Sequence, residues 1–360
     1  MPERNPEARA AARDVLDQHT REMIDWHFSL ETGTPFWIDF AKRNRIDPKA
    51  EVQGFADLCR VFPNFDGNWL RFEPPDQWIP KVYAGRPFQI FETGGTTGMP
   101  KQRLNWEDFE YDYSALSKTL DDESFPPGGN WLMMGPTGPR RLRLAIEYLA
   151  NLRGSSCYFI DLDPRWVKKL IANRETTQAR AYMDHVVDQA ATILRYREIT
   201  ALFTTPRLLE ALSLKRSVPD AGVRGVFCGG TEMSPQTVRF LMEEVLENRT
   251  TFLPVYGNTL MGLAHSIPPT PENGYSVTYF APQPRAVLRV VSPNESMRLV
   301  EYDKWGRVEL TTMTREFFMP RFLERDEAIR RAPATAYPWD GVAQVRPFQS
   351  PTQTIVEGVY

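Results

Sequence analysis

Phe91-Glu-Thr-Gly-Gly-Thr-Thr-Gly-Met-Pro-Lys-Gln-Arg103 is the stretch on which the reading of this chain turns. Small, hydroxylated and flexible residues from Thr93 to Gly98 stand in front of a proline and a lysine. Glycine lets backbone N–H groups come close to a ligand. Threonine hydroxyls donate hydrogen bonds, and lysine adds a compact positive charge. That combination has the chemistry a polyphosphate needs. The stretch is not an NTPase P-loop, because Pro100 interrupts the pattern and no Ser or Thr follows Lys101, and it does not fit GxGxxG. In isolation it also reads as a flexible surface turn.

The flanking sequence supplies a fold. Residues 88–91 read as a strand running into the loop, and 106–120 as the helix beyond it. Strands at 131–135, 156–161, 201–204 and 223–228 alternate with helices at 141–152, 178–196, 207–214 and 235–247. Such alternation predicts a parallel α/β sheet with helical crossovers. Upstream, 6–28 has apolar residues at helical spacing, 55–62 is a second helix, and 74–87 is a proline-rich connector. After Tyr256 the pattern changes to short strands at 276–280, 286–291, 297–301 and 306–312. The expected division is an α/β core over 1–270, with N-terminal helices to about 87, and a smaller β-rich subdomain over 271–350. In open α/β sheets ligands bind beyond the carboxyl ends of strands, where loops lead into helices. The quoted loop, Gly229-Gly230-Thr231-Glu232 and Tyr256-Gly257-Asn258-Thr259 are each expected at such a place.

Composition narrows the classes. With 43 basic and 46 acidic residues and a net charge of −3, the chain offers no electrostatic reason to expect nucleic acid or an anionic membrane. No apolar run reaches the length of a membrane span. No secretory signal is visible at the N-terminus, so a cytoplasmic location is expected. Cys59, Cys157 and Cys228 are scattered and form no metal-ligand spacing. No residue is assigned as a metal ligand.

The run Thr93-Gly-Gly-Thr-Thr-Gly-Met-Pro-Lys101 resembles the Ser/Thr-Ser/Gly-Gly-Thr-Thr-Gly-x-Pro-Lys signature of the adenylate-forming superfamily, which includes acyl-CoA synthetases, nonribosomal peptide adenylation domains and luciferases. Further likenesses follow in the family's order. Leu202-Phe-Thr-Thr-Pro-Arg-Leu-Leu209 resembles its acyl-site segment, and Phe227-Cys-Gly-Gly-Thr-Glu-Met-Ser-Pro235 resembles Gly-Gly-Glu-x-Leu-Ser. Val255-Tyr-Gly-Asn-Thr-Leu-Met-Gly262 resembles Tyr-Gly-x-Thr-Glu, and Arg321-Phe-Leu-Glu-Arg-Asp326 stands where the family has Arg-Tyr-x-Thr-Gly-Asp. Thr34-Pro-Phe-Trp37 looks most like the phenylacetate-CoA ligase and acyl-protein synthetase branch.

The resemblance implies an α/β fold, the large N-terminal domain of adenylate-forming enzymes, with parallel sheets flanked by helices and a small β-rich subdomain shaped as a distorted barrel. It implies an AMP-forming ligase that uses ATP and Mg²⁺ to activate a small carboxylic acid. The acyl group then passes to an amine, alcohol or thiol, such as CoA or a carrier protein. Thr93, Gly94, Gly95, Thr96, Thr97 and Gly98 would wrap the phosphates, with Lys101 at the rim. Gly229, Gly230, Thr231 and Glu232 would lie beside the adenine, and Tyr256, Gly257 and Asn258 would carry the stacking ring. Thr259 would bond the α-phosphate, Asp326 the ribose, and Arg346 would serve on the hinge side. Lys101, Arg140 and Thr259 are the catalytic candidates. Trp131, Met133, Met134, Phe203 and Met261 are candidates for acyl-pocket walls and equally for core.

Two departures qualify this. Leu260 stands where the family has a glutamate associated with Mg²⁺, and leucine cannot ligate a hard cation. After Asp326, Gln344-Val-Arg-Pro-Phe-Gln-Ser-Pro351 occupies the hinge region and 351–360 is a short tail, so the mobile C-terminal domain and its lysine are expected to be absent. Lys101, Arg103, Arg140, Arg141 and Arg143 are the local cations that could stand in. A catalytically silent nucleotide- or acyl-adenylate-binding protein, or one completed by a partner protein in trans, is the alternative.

Overall fold

The computed structural model describes residues 6–94, 98–138, 141–230 and 232–348. Helices α1 (Pro6–Phe28), α2 (Pro35–Asn44), α3 (Pro48–Glu51), α4 (Phe55–Val61) and α5 (Trp69–Phe72) come first. In α1 the buried residues Leu16, Thr20, Met23, Ile24 and His27 fall on one stripe, the spacing of a helix packed on one side. His27 anchors the end of that stripe. Its ring bonds Thr34 Oγ1 and the Thr314 carbonyl, both at 2.7 Å.

Two strands follow, β1 (Gln89–Glu92) and β2 (Gln102–Asn105), then α6 (Asp108–Ser117). The strands pair antiparallel, with Phe91 opposite Arg103. The Gly/Thr stretch therefore connects two strands paired antiparallel and does not lead from a strand into a helix. The sequence hid β2 because Gln-Arg-Leu-Asn has no apolar alternation.

The parallel sheet has the order β4-β3-β5-β6-β7, from β3 (Trp131–Met134), β4 (Cys157–Ile160), β5 (Ala201–Thr204), β6 (Gly225–Cys228) and β7 (Thr251–Pro254). Helices α7 (Arg141–Leu152), α8 (Pro164–Ala172), α9 (Thr176–Tyr196), α10 (Pro206–Ser213) and α11 (Pro235–Phe240) form the crossovers. Every residue of β3, β5 and β6 is buried, as expected of central strands covered on both faces. Alternation divides them between two cores. Trp131, Met133, Phe203 and Phe227 pack with Phe91, Phe109 and Phe125. Leu132, Met134, Leu202 and Val226 join the core that continues into the second sheet. The helix expected over 235–247 is shorter, since α11 passes into a single π-turn at Leu241–Val245.

The second sheet is antiparallel, with eight strands in the order β12-β11-β13-β14-β15-β10-β9-β8. They are β8 (Tyr256–Asn258), β9 (Gly262–Ile267), β10 (Thr278–Phe280), β11 (Ala286–Ser292), β12 (Glu295–Leu299), β13 (Trp305–Met313), β14 (Phe318–Arg331) and β15 (Gly341–Pro347). It begins at Tyr256, earlier than the boundary expected near 271, because β8 and β9 form its edge hairpin. Helices α1, α2 and α4 cover it through an aromatic cluster in which Trp37 Nε1 donates to the Phe318 carbonyl at 3.0 Å. Among the described residues no helix is long and apolar enough to cross a membrane.

Candidate functional site

A cavity of about 640 Å³ lies beyond the carboxyl ends of β5, β6 and β7 and is closed by β8, β14 and β15. Gly230, Glu232, Tyr256, Gly257, Asn258, Asp326 and Arg346 all line it. They stem from segments far apart in the chain, and only the meeting of the two sheets brings them together. Gly230 sits at φ +90°, a conformation that favours glycine. Gly229 serves packing instead, since a Cβ there would lie 2.8 Å from the Val255 carbonyl oxygen.

Two aromatic rings form a wall. Tyr256 and Tyr279 have centroids 5.5 Å apart, tilted by 45°. Burial holds both phenols protonated at neutral pH. The Tyr256 hydroxyl donates to Asp326 Oδ2 at 3.4 Å. Burial raises the Asp326 carboxyl, although Arg325 and the Tyr256 hydrogen bond pull it down. Arg346 is held by its neighbours in the sheet, with Nε 2.7 Å from Glu327 Oε1 and its guanidinium 3.8 Å from the centre of the Trp305 ring.

The Gly/Thr hairpin stands next to this cavity. Thr93 closes its base. Its N–H donates to the Lys101 carbonyl, and its Oγ1 accepts from the Lys101 N–H, both at 3.0 Å. Thr259 Oγ1 donates to the Glu92 carbonyl at 3.2 Å, tying the β8–β9 turn to β1. A phosphate partner for Thr259 therefore requires that hydroxyl to turn. Lys101 is buried, with Nζ 5.1 Å from the centre of the Phe322 ring. Gly67 leaves room for it, since a Cβ there would lie 2.7 Å from Lys101 Cε. Burial lowers the ammonium's pKa, Glu324 raises it, and Arg71 and Arg325 lower it further. Gly95, Thr96, Thr97, Arg140 and Thr231 lie outside the described residues.

Other candidates are placed elsewhere. Trp131, Met133, Phe203 and Met261 are buried in the two cores, and none lines the cavity. Arg103 Nη2 is held 2.6 Å from Asp108 in the interior, Arg141 lies 3.6 Å from Asp112, and Arg143 lies 3.6 Å from Glu147. These arginines are engaged structurally.

Glu324 was not foreseen. It shares a face of β14 with Phe322 and Asp326, and Asn258 Nδ2 donates to its Oε1 at 3.1 Å. Burial first, and then Asp326, push its carboxyl up to about 7, against the pull of Lys101 and Arg325. The pairing of β14 with β13 slips between Leu323 and Glu327, so no regular spacing in the sequence pointed to it.

The structure also bears on a divalent ion. The Leu260 side chain is buried and its carbonyl accepts from Arg103 and Thr312, so nothing at that position faces a cation. Among the described residues no group of three or more His, Cys, Asp or Glu forms a metal cage. Glu324 and Asp326 still offer hard oxygen donors. Mg²⁺ bound through phosphates and water needs only one or two carboxylates. The residues fit an ion that arrives with a nucleotide.

No family model matches the chain, and no curated protein matches it. Among solved structures, 2-hydroxyisobutyryl-CoA ligase with 2-HIB-AMP and CoA in the thioesterification state superposes with a TM-score of 0.67 at 14% identity, over 94% of this chain and 68% of that one. An open conformation of that ligase with 2-HIB-AMP and CoA gives a TM-score of 0.68 at 13% identity, over 93% and 69%. Its postadenylation state with R3-HIB-AMP gives 0.66 at 12% identity, over 93% and 67%. This chain thus spans about two thirds of the ligase's length. The likeness shows the fold, that of this CoA ligase.

Proposed function

We propose that the chain binds ATP in this cavity, activates a small or aromatic carboxylic acid as its acyl-adenylate, and hands the acyl group to an amine, alcohol or thiol. The carrying observation is the single cavity lined by Gly230, Glu232, Tyr256, Asn258 and Asp326 beside a Gly/Thr hairpin. A ligase of the same fold was solved with an acyl-AMP and CoA, which supports the reaction class by analogy of fold.

In this reading the Tyr256 ring carries the adenine face, and Asp326 accepts from the ribose hydroxyls. Lys101 and the hairpin amides meet the phosphates. The acid's carboxylate oxygen attacks the α-phosphorus as the bond to pyrophosphate breaks. The acceptor then attacks the acyl carbon, loses its proton, and AMP departs. Holding acid and nucleotide in one cleft lowers the entropic barrier to the first step. Mg²⁺, when bound, would offset charge on the leaving pyrophosphate, with Glu324 as the protein's contribution.

ATP–pyrophosphate exchange against a panel of acids tests this. Exchange that depends on one acid supports it. Nucleotide binding without exchange for any acid would favour a silent binding protein, the reading that the buried Leu260 side chain supports.

A further inference from the structure

We propose that a second cavity, of about 450 Å³, binds a small organic anion: an apolar body bearing one carboxylate. The proposal does not depend on the nucleotide reading, since among the described residues none lines both cavities. Helices α1 and α4 and strands β11 and β12 line this one, together with Pro338, Trp339 and Asp340 from the segment before β15. Its size lies in the range of small-molecule pockets, roughly 300–1,000 Å³.

Much of the lining is apolar. Leu16 comes from α1, Phe55 and Cys59 from α4, and Val287 from β11. Burial raises the pKa of the Cys59 thiol, so it stays neutral and serves as wall. Strand β12 is an edge of the eight-stranded sheet, and its Met297 and Leu299 are 47% and 37% exposed. These two stand two residues apart, on one face of the strand, and both line the cavity. The apolar body of a ligand would cover them and remove that surface from water. The Trp339 ring is held in place, since its Nε1 donates to the Ala281 carbonyl at 3.1 Å.

The charged lining sets the sign of the ligand. Arg9, Arg13, Arg289 and Arg330 line the cavity with Asp17 and Asp340, four arginines against two aspartates. Both aspartates are engaged. Asp17 Oδ1 accepts from the Phe55 N–H at 2.7 Å, and Asp340 Oδ2 lies 2.6 Å from Arg330 Nη2. Behind the wall, Glu309 is shared by Arg289 at 2.8 Å and Arg321 at 3.2 Å. The excess of positive charge rests on this count and not on a missing partner. Arg289 and Arg330 also donate to the carbonyls of Met297 at 3.1 Å and Val300 at 2.7 Å. A guanidinium has five N–H donors, so one fixed in this way can still donate to a carboxylate. Groups already ordered by the protein lose little freedom when a ligand arrives.

The test is calorimetric titration of the full chain with 4-phenylbutyrate, octanoate and 2-naphthoate, and with the neutral amide of each. Wild type is compared with Leu299→Trp, which fills the cavity from the exposed sheet edge, and with Arg13→Glu. Thermal unfolding checks that each variant folds. The expected result is that at least one acid binds wild type and that its amide binds about tenfold or more weakly, as for a lost charge-assisted contact. Leu299→Trp should lose about tenfold or more in affinity for that acid, and Arg13→Glu about threefold, as for one exposed charge reversed. Tyr256→Ala, in the first cavity, should bind the acid as wild type does. Binding of none of the acids, equal affinity for acid and amide, or an affinity unmoved in Leu299→Trp would each overturn the proposal. Self-association of wild type that Leu299→Trp abolishes, with no acid bound, would give this face to a second copy of the chain and overturn it as well.

Discussion

In the parallel sheet β3, β5 and β6 bury every residue they contain, whereas β14 of the antiparallel sheet buries its first five and then carries Glu324, Arg325 and Asp326 toward solvent and the cavity. The first sheet supplies the cavity through the loops and helices that follow β5, β6 and β7. The second supplies it with side chains: Tyr256, Asn258, Tyr279, Asp326 and Arg346. A sheet sealed on both faces can lend a ligand little but its loop ends. An antiparallel sheet can turn one face to a ligand along its whole length. The division predicts that damage to the first sheet costs stability, and that damage to the ligand-facing edge of the second costs binding.

The largest effect is expected from Trp131→Ala. Trp131 is fully buried against Phe227, with ring centroids 5.3 Å apart, so truncation should cost about 3–5 kcal/mol. Denaturant unfolding reads it directly. A cost of similar size in the other sheet would come from Glu309→Leu. Glu309 is fully buried between Arg289 at 2.8 Å and Arg321 at 3.2 Å. Removing it leaves two interior cations without their shared carboxylate, about 3–5 kcal/mol. That cluster lies away from the cavity, so the folded fraction should bind nucleotide normally. A weakened affinity in the folded Glu309→Leu protein would break the division between stabilising and ligand-facing parts of the second sheet.

Asp326→Asn is expected to do the reverse. It keeps the side chain's shape and its acceptor for Tyr256, so stability should move by less than about 1 kcal/mol. Nucleotide affinity should fall about tenfold through weakened hydrogen bonds to the ribose. Equilibrium titration with AMP measures it.

The comparison is sharpened further through pH. The Glu324 carboxyl is raised from 4.5 to about 7 in the fold. The folded state then binds the extra proton. The associated stability is present below about pH 4.5 and is lost as pH rises through about 7. Glu324→Gln should not lose it. The variant should therefore gain on wild type by up to about 3 kcal/mol between pH 4 and pH 8. Parallel pH profiles of melting temperature for the two proteins would show the gap opening; profiles that stay parallel would mean Glu324 is well solvated.

The two sheets also differed in how far the sequence disclosed them. Short apolar runs bounded by glycine and proline marked β3, β5 and β6, and the apolar stripe of α1 marked that helix over Pro6–Phe28. Strand β14 was hidden. Its sequence mixes Pro320 with alternating charges, Arg321 sits at φ +53°, and register shifts interrupt its pairing with β13. A strand that departs from the two-residue period and pairs with partners far along the chain leaves no local signal. The site divides in the same way. Gly230, Glu232 and the stretch from Tyr256 to Asn258, which line the cavity, lie in short local patterns. Glu324 does not. The cations that were read locally, Arg103 and Arg141, instead lie in buried pairs with Asp108 and Asp112.

The most direct test of nucleotide binding in this cavity is thermal unfolding of the full chain with and without ATP, AMP and Mg²⁺, for wild type and Tyr256→Ala. At a hundredfold excess over the dissociation constant, binding should add about 2.7 kcal/mol and raise the melting temperature by a few degrees. The predicted result is a rise with both nucleotides that disappears in Tyr256→Ala. No rise with either nucleotide, or a rise undiminished in Tyr256→Ala, would contradict it.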